Sequence, residues 1–205
     1  MDMKRLVLAT LLWLPLAVTA QDNTWEKIEM TATNAANPDQ KYLAGAVPEV
    51  DGRVEFSATL EAPGKSAGEI YERLLAYMTK MTKEPNQIEQ SRITLEDKEK
   101  HQVGGTYQEW LVFKSTALTL DRTRLLFNLI VDCHDGRADV KMNRIVYIYD
   151  EERDLQRFLA EEWITDKYGL NKKQTKLSRV SGKFRRKTID RKDFLFNKMA
   201  QLLKD

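Results

Sequence analysis

The sequence predicts an α+β fold: an antiparallel sheet of about five strands, in the order β-α-β-β-β-β, packed against a helix and followed by C-terminal helices. Three patterns predict it. Apolar residues alternate with polar ones from Val54 to Leu60, and they recur every three or four residues from Ala67 to Met81. Further along, Asp135-Gly136 joins two apolar runs. These patterns are typical of a half-buried strand, an amphipathic helix and a tight hairpin.

The first strand and the helix after it have clear boundaries. Pro63-Gly64 ends the strand, and Ser66 with Glu69 three residues later matches the capping box that opens many helices. The segment from Gly64 to Gly68 also matches the G-x-S-x-G motif of hydrolases. Because only one βα unit precedes a run of antiparallel strands, we interpret Ser66 as a helix cap and not as a nucleophile.

Two more strands are predicted between the helix and the hairpin. The first spans residues 92–96, and a longer one spans residues 103–114. Gly104-Gly105 lies in the longer strand, where paired glycines indicate a bulge or a bend.

The hairpin around Asp135-Gly136 predicts a register for its two strands. This dipeptide is typical of a type I′ turn, in which both central residues have a positive φ. The register that follows pairs Cys133 with Ala138 and Phe127 with Arg144. One face of the hairpin is then apolar except at Arg144, and Cys133 is expected to be buried in it. The opposite face is also partly apolar, so we expect a downstream element to cover it.

The chain divides into four segments by composition. Residues 1–20 resemble a signal peptide, residues 21–40 form a polar leader, residues 41–150 form the α+β domain, and residues 151–205 form a C-terminal helical segment. Within the last of these, residues 167–187 contain nine Lys and Arg without an acidic residue and are expected to be a solvated connection. Two amphipathic helical stripes flank this connection: Leu155, Phe158, Leu159 and Trp163, then Leu195, Met199, Leu202 and Leu203.

The N-terminal segment predicts the compartment. Lys4 and Arg5 precede an apolar run that ends in small residues, which is the pattern of a cleaved signal peptide. No later stretch reaches the roughly 20 apolar residues of a membrane-spanning helix. Gln21 follows the predicted cleavage point where a lipoprotein would have cysteine. We therefore expect an exported, periplasmic or secreted protein that is not a lipoprotein and has no transmembrane segment.

The charge is distributed unevenly along the chain. Residues 166–205 hold thirteen Lys and Arg against four Asp and Glu, whereas the whole chain has a formal net charge of +2. The remainder is therefore acidic. The basic segment either binds an anionic partner or lies on the chain's own acidic body. We favour the second explanation, because the body is always present at a high effective concentration.

Five basic residues are candidate binding residues. Arg144 is predicted on an apolar strand face, so its guanidinium must find a carboxylate or reach solvent. A structural ion pair or a side chain that extends to solvent is the simpler explanation, and an anion site in a pocket between sheet and helix is the functional one. The other candidates lie in the basic connection: Lys183, Arg185, Arg186 and Lys187.

The composition argues against several chemistries. Only His101 and His134 are present, so a histidine-rich metal site is excluded. Asp132, Cys133, His134 and Asp135 are adjacent in sequence, but in a strand the thiol points away from its two neighbours and cannot complete a zinc site with them. We therefore predict no catalytic residues, no metal site and no cofactor.

Parts of the sequence resemble a known family. The segments that carry the resemblance run from Tyr42 to Gly52, from Val54 to Phe56, from Ala62 to Ser66, from Glu109 to Lys114 and from Leu120 to Arg124. They resemble an uncharacterised exported family of Bacteroidetes-type bacteria, described as a domain of unknown function with a TATA-binding-protein-like fold. The resemblance implies a helix packed on a curved antiparallel sheet, and it implies no catalytic residues.

Two classes of function agree with these observations. The first is a non-catalytic, soluble module of the cell envelope that binds a protein, a glycan or another surface partner. The second is a carrier that holds a small apolar ligand between sheet and helix. A carrier requires an enclosed apolar cavity beneath a helix, whereas a binding module requires a filled core and an exposed site. Nucleic acid is not an expected partner, because an exported chain with an acidic body meets little duplex.

Overall fold

A computed structural model describes residues 38–149 and 154–204, and the predicted signal peptide and most of the polar leader lie outside the described residues. Short 3-10 turns cover Gln40–Tyr42 and Ala160–Glu162. The helices are α1 (Ala67–Met81), α2 (Asp166–Gly169) and α3 (Gly182–Lys204). The strands are β1 (Glu49–Val50), β2 (Arg53–Glu61), β3 (Arg92–Asp97), β4 (Gln102–Thr116), β5 (Thr119–His134), β6 (Arg137–Tyr149) and β7 (Gln156–Leu159).

The seven strands form one antiparallel sheet in the order β1-β2-β6-β5-β4-β3, and β7 pairs with β6. Both β2 and β7 lie on the edge of β6 that faces away from β5. The long helices α1 and α3 pack on one face of this sheet. The predicted α+β fold is thus confirmed, with seven described strands instead of about five.

The predicted first strand and helix are confirmed. Val54, Phe56 and Leu60 of β2 are buried. At the start of α1, the Ser66 hydroxyl accepts a hydrogen bond from the backbone N–H of Glu69 (3.3 Å), and the Glu69 carboxylate accepts one from the N–H of Ser66 (2.9 Å). The G-x-S-x-G match is therefore a capping box, as predicted.

The predicted strands before the hairpin are also confirmed, as β3 and β4. The pairing of β3 with β4 shifts between Ile93 and Leu95, directly opposite Gly105 and Gly104. A side chain at position 105 would collide with the Tyr107 ring, whose atoms lie 2.7 Å from the place of its Cβ. The bulge and the ring explain why two glycines stand here.

The register near the hairpin turn is correct, but the predicted turn type is wrong. Cys133 pairs with Ala138 as expected. Only Gly136 has a positive φ (79°), whereas a type I′ turn requires one at Asp135 as well. The reason is tertiary: the Asp135 carboxylate accepts a hydrogen bond from the N–H of Ala67 (2.8 Å), which ties the turn to the start of α1. Both central residues have positive φ at Asp51-Gly52, the turn between β1 and β2.

Further from the turn the predicted register is wrong, because β6 contains one extra residue. Asn128 pairs with Asn143, but Leu126 pairs with Val146, so Phe127 faces two residues, Arg144 and Ile145. This is a β-bulge. Ile145 is buried (1% exposed) and Arg144 is exposed. The bulge therefore removes the arginine from the apolar face and restores an unbroken apolar surface.

The bulge also changes which face the rest of β6 presents. Tyr147, predicted on the face opposite the core, is fully buried beneath α3, where its hydroxyl lies 2.7 Å from that of Thr188. The prediction that a downstream element covers the opposite face is wrong for the described chain, since α3 packs on the same face as α1. The predicted helical stripe from Leu155 to Trp163 is also wrong: residues 156–159 form β7.

The core lies between the sheet and the two long helices. From the second predicted stripe, Leu195, Met199 and Leu203 of α3 are buried in it, as expected. At the other end of α3, the Phe184 ring packs edge-on against its neighbours, with a centroid distance of 5.2 Å to Tyr147. The remaining rings around Phe184 come from β4, β6, β7 and the segment after it: Phe113, Tyr149, Phe158 and Trp163.

An ion pair within this core was not predicted. The Arg191 guanidinium of α3 donates two hydrogen bonds to the Glu109 carboxylate of β4, at 2.7 and 2.8 Å, and both side chains are at most 1% exposed. Gln87 donates a further short hydrogen bond to the same carboxylate. A buried charge is stable only with such partners, so this pair holds α3 in one position over the sheet.

The position of Cys133 gives a direct test of the hairpin register. The thiol is buried (3% exposed), and burial raises its pKa to about 12, so almost none of it is thiolate at pH 8. We predict that maleimide reacts with Cys133 only after unfolding. Introducing an exposed thiol on β2 with Ser57→Cys gives a control that reacts at once. Equally fast native labelling of Cys133 would show that the register is wrong.

Candidate functional site

The edge of β6 is open for two residues where β2 and β7 leave a gap. The pairing of β6 with β2 ends at Asn143, and its pairing with β7 begins at Val146. Arg144 and Ile145, the two residues opposite Phe127 in the bulge, are therefore paired with neither strand. An unpaired strand edge presents backbone N–H and C=O groups that can accept a ligand.

A cleft of about 530 Å³ lies at this gap. We call it the arginine cleft, because three of its lining residues are arginines. Its volume lies within the roughly 300–1,000 Å³ of typical small-ligand sites. The lining residues come from β1, β2, β6, β7 and their connections: Val50, Asp51, Arg53, Glu55, Asn143, Arg144, Ile145, Val146, Arg157, Leu159 and Glu161.

The three arginines of the cleft are exposed and retain their hydrogen-bonding capacity. Within the described chain, Arg53, Arg144 and Arg157 form no side-chain hydrogen bond and no ion pair. A guanidinium carries five N–H donors and a permanent charge. The cleft therefore combines three positive groups with an aliphatic wall that includes Val146 and Leu159.

Two of the three carboxylates that line the cleft are engaged in the fold, and the third, Asp51, is exposed. Glu55 accepts a hydrogen bond from the Asn143 side-chain amide (2.9 Å) and lies 3.5 Å from the Lys141 ammonium. Glu161 accepts one from the backbone N–H of Val54 (3.1 Å), which holds the start of β2 against the segment after β7. Glu55 and Glu161 thus stabilise the walls of the cleft, whereas its three arginines have no ion-pair partner among the described residues.

The predicted anion site around Arg144 lies in a different part of the fold from the one expected. Arg144 does line a cleft, but that cleft lies at the sheet edge and not between sheet and helix. The other predicted binding residues lie in α3, which begins at Gly182, and not in a solvated connection. The predicted connection 167–187 is thus corrected: residues 166–169 form α2, and only residues 170–181 connect it to α3.

Arg185 holds three segments of the chain together. Its fully buried guanidinium donates hydrogen bonds to the backbone carbonyls of Tyr42 (2.6 Å), Leu43 (2.7 Å) and Ile164 (2.7 Å), and to the Asp166 carboxylate (2.7 Å). Burial lowers the pKa of this guanidinium, and the Asp166 carboxylate opposes that shift. With all these bonds made inside the chain, Arg185 has a structural role.

Its neighbours are also engaged within the chain. The Lys183 ammonium lies 2.7 Å from the Asp121 carboxylate and 4.5 Å from the centre of the Phe113 ring. Arg186 donates a hydrogen bond to the Asp39 carboxylate (2.6 Å). Lys187 is half-buried and has an interaction partner as well. These contacts agree with a basic segment that lies on the chain's own body, and they separate these residues from Arg144.

The sequence predicted only one of the three arginines of the cleft as a binding residue. Arg144 was selected because a charge interrupts an apolar face, and the same conflict signals a bulge that would expel it. Arg53 and Arg157 were missed, since nothing in the sequence indicates that β2 and β7 share one edge of β6. No three His, Cys, Asp or Glu side chains within the described ranges are grouped to hold a metal ion.

Arg144 occupies a strained backbone conformation, with φ at 52°. A residue with a Cβ loses about 1–2 kcal/mol there, whereas glycine loses none but gains flexibility in the unfolded chain. We predict that Arg144→Gly is more stable than Arg144→Ala by about 0.5–1 kcal/mol in denaturant unfolding. The same two substitutions at Lys141, where φ is negative, should give the opposite order. An alanine variant at 144 as stable as the glycine variant would contradict the bulge.

Within the described parts of the chain, no helix is sufficiently long and apolar to span a membrane. A comparison with curated proteins finds no match. A TBP-like protein from Parabacteroides distasonis, known from its crystal structure, is 19% identical over 77% of this chain and 96% of that one. Its TM-score is 0.62, and at this identity the likeness shows the fold alone.

Two further comparisons identify the family to which the chain belongs. The family described as a domain of unknown function (DUF4468) with TBP-like fold matches residues 56–148. The crystal structure of a DUF4468 family protein from Bacteroides ovatus has a TM-score of 0.76 and 42% identity, over 82% of this chain and 96% of that one. The resemblance noted in the sequence is thereby confirmed, and the chain belongs to the DUF4468 family of domains of unknown function with a TBP-like fold.

Proposed function

We propose that this protein is an exported, non-catalytic binding module of the cell envelope that holds an anionic group of its partner in the arginine cleft. One observation carries the proposal: Arg53, Arg144 and Arg157 line one cleft and form no ion pair among the described residues. Arginines that stabilise a fold are usually paired, as Arg185 and Arg191 are.

The geometry of β6 gives this cleft a second unusual property. Arg144 is held at φ 52° by the bulge, so the fold tolerates backbone strain at this point. Strained backbone often accompanies binding sites, because the surrounding structure then holds a side chain where a ligand needs it. The strain and the unpaired guanidinium together support a ligand site.

A non-catalytic role is supported by the state of the nucleophilic side chains. The Ser66 hydroxyl is part of a helix cap, and the Cys133 thiol is buried with a raised pKa. The cleft itself contributes arginines, carboxylates, an amide and aliphatic side chains. A binding role requires only these groups.

The packing beneath the helices favours a binding module over a carrier of apolar ligands. Large side chains from both layers meet there without exposure to solvent, among them Leu74 and Met78 of α1 and Phe127 of β5. The arginine cleft, in contrast, is open and charged and lies at the sheet edge. The predicted signal peptide supports a location in the envelope, where the partner is a protein, a glycan or another surface molecule.

Inorganic phosphate is a suitable first probe for the cleft, because guanidinium groups recognise its oxygens. We predict that calorimetry detects phosphate binding that weakens as salt rises and weakens about 10-fold in Arg144→Ala. The triple variant, with Arg53→Ala and Arg157→Ala added to Arg144→Ala, should no longer bind phosphate.

Arg92→Ala is the matched control, since Arg92 is an exposed arginine on β3, at the other end of the strand order. The control variant should bind phosphate as the unchanged protein does. Equal losses in Arg92→Ala and Arg144→Ala, or no loss in the triple variant, would refute the proposed site.

A further inference from the structure

We infer that the anionic group held in the arginine cleft is the C-terminal carboxylate of a peptide, an inference that rests on the proposed function. The observation behind it is the gap in the β6 edge. Only Arg144 and Ile145 are unpaired there, because β2 pairs as far as Asn143 and β7 pairs from Val146.

The gap is too short for a continuous peptide strand, but it is long enough for the end of a peptide chain. Peptides often bind by adding an extended segment to an open sheet edge, where backbone hydrogen bonds hold them. A continuous strand needs a longer free edge, since strands are usually about five residues long. Here β2 blocks one end of the gap and β7 blocks the other. One or two terminal residues therefore fit, and the rest of the peptide must leave away from the sheet.

A terminal residue also matches the chemistry of the walls. It carries a planar carboxylate, which a guanidinium binds with two parallel hydrogen bonds, and Arg144 lies at the gap itself. It carries one side chain, for which Val50, Val146 and Leu159 provide an aliphatic wall. We therefore expect an apolar last residue.

A third group of the peptide, its terminal N–H, would gain a partner from the Asn143 side chain. The Asn143 amide donates to Glu55, but its carbonyl oxygen Oδ1 is closed to solvent and accepts no hydrogen bond from the described residues. A closed-off acceptor without a donor is unfavourable. A small rotation of this amide would present Oδ1 to the backbone N–H of the bound terminal residue, which lies next to the carboxylate.

An acidic sugar fits the same cleft less well. It also offers a carboxylate and hydrogen-bond donors, but its ring binds best against an aromatic face, and none of the residues that line the arginine cleft is aromatic. The peptide is therefore the better match, and galacturonic acid serves as the competing probe.

The test compares matched peptides by fluorescence anisotropy. The probes are fluorescein-labelled tetrapeptides Gly-Gly-Ala-X, in which X is Ala, Val, Leu or Ile, each with a free C-terminal carboxylate and as the C-terminal amide. We expect at least one free acid to bind at least 10-fold more tightly than its amide. Arg144→Ala should remove most of that difference and leave the weak binding of the amide unchanged, while Arg92→Ala changes neither.

The outcomes separate this inference from the proposed function. Equal binding of acids and amides would overturn the inference. The inference would also be overturned if galacturonic acid or phosphate binds, and this binding is lost in Arg144→Ala, but no peptide binds. The cleft would then remain an anion site for another ligand. If peptides, sugar and phosphate all fail to bind the native protein, both the inference and the proposed function are wrong.

Discussion

One extra residue in β6 is the constraint on which the rest of the sheet depends. On the side of the hairpin turn, Cys133 and Ala138 share the buried face; beyond the bulge, the same face continues with Ile145 and Tyr147. Without the bulge, Arg144 would face the core opposite Phe127. The bulge therefore solves a packing problem, and it leaves a charged, strained residue at the point where two strands fail to meet on the edge of β6.

Buried arginines join the C-terminal helix to the rest of the fold. Arg191 fixes the middle of α3 to β4 through Glu109, and Arg185 fixes its start to the backbone of Tyr42 and Ile164. Because a buried charge that loses its partner is strongly destabilising, these contacts define one position of α3. The same helix then completes the core over Tyr147. Arg185 and Arg191 thus differ from the cleft arginines: both are buried and paired, whereas Arg53, Arg144 and Arg157 are exposed.

The sequence predicted the elements whose signals are local. The alternation in β2, the capping box at Ser66 and the dipeptide at the hairpin each depend on a few neighbouring residues, and each was placed correctly. The predictions that were wrong concern features that depend on contacts between residues distant in sequence. The turn at Asp135 is held by a hydrogen bond from α1, and the strand β7 is recognised only by its pairing with β6. Arg185 lies in a segment whose composition predicts a solvated connection, although carbonyls distant in sequence surround its guanidinium. Arg144 alone signalled the site, since its charge conflicted with the face assigned to it.

The most direct measurement is phosphate binding by a chain from which Arg144 has been deleted. Removing the extra residue gives β6 a regular register with Phe127 opposite Ile145, so we expect a folded protein in which Cys133 stays protected from maleimide. The gap in the β6 edge should narrow from two unpaired residues to one, and phosphate binding should fall to the level of the chain without its three cleft arginines. If the deletion variant binds phosphate as well as Arg144→Ala does, or fails to fold, the bulge does not have the role assigned to it.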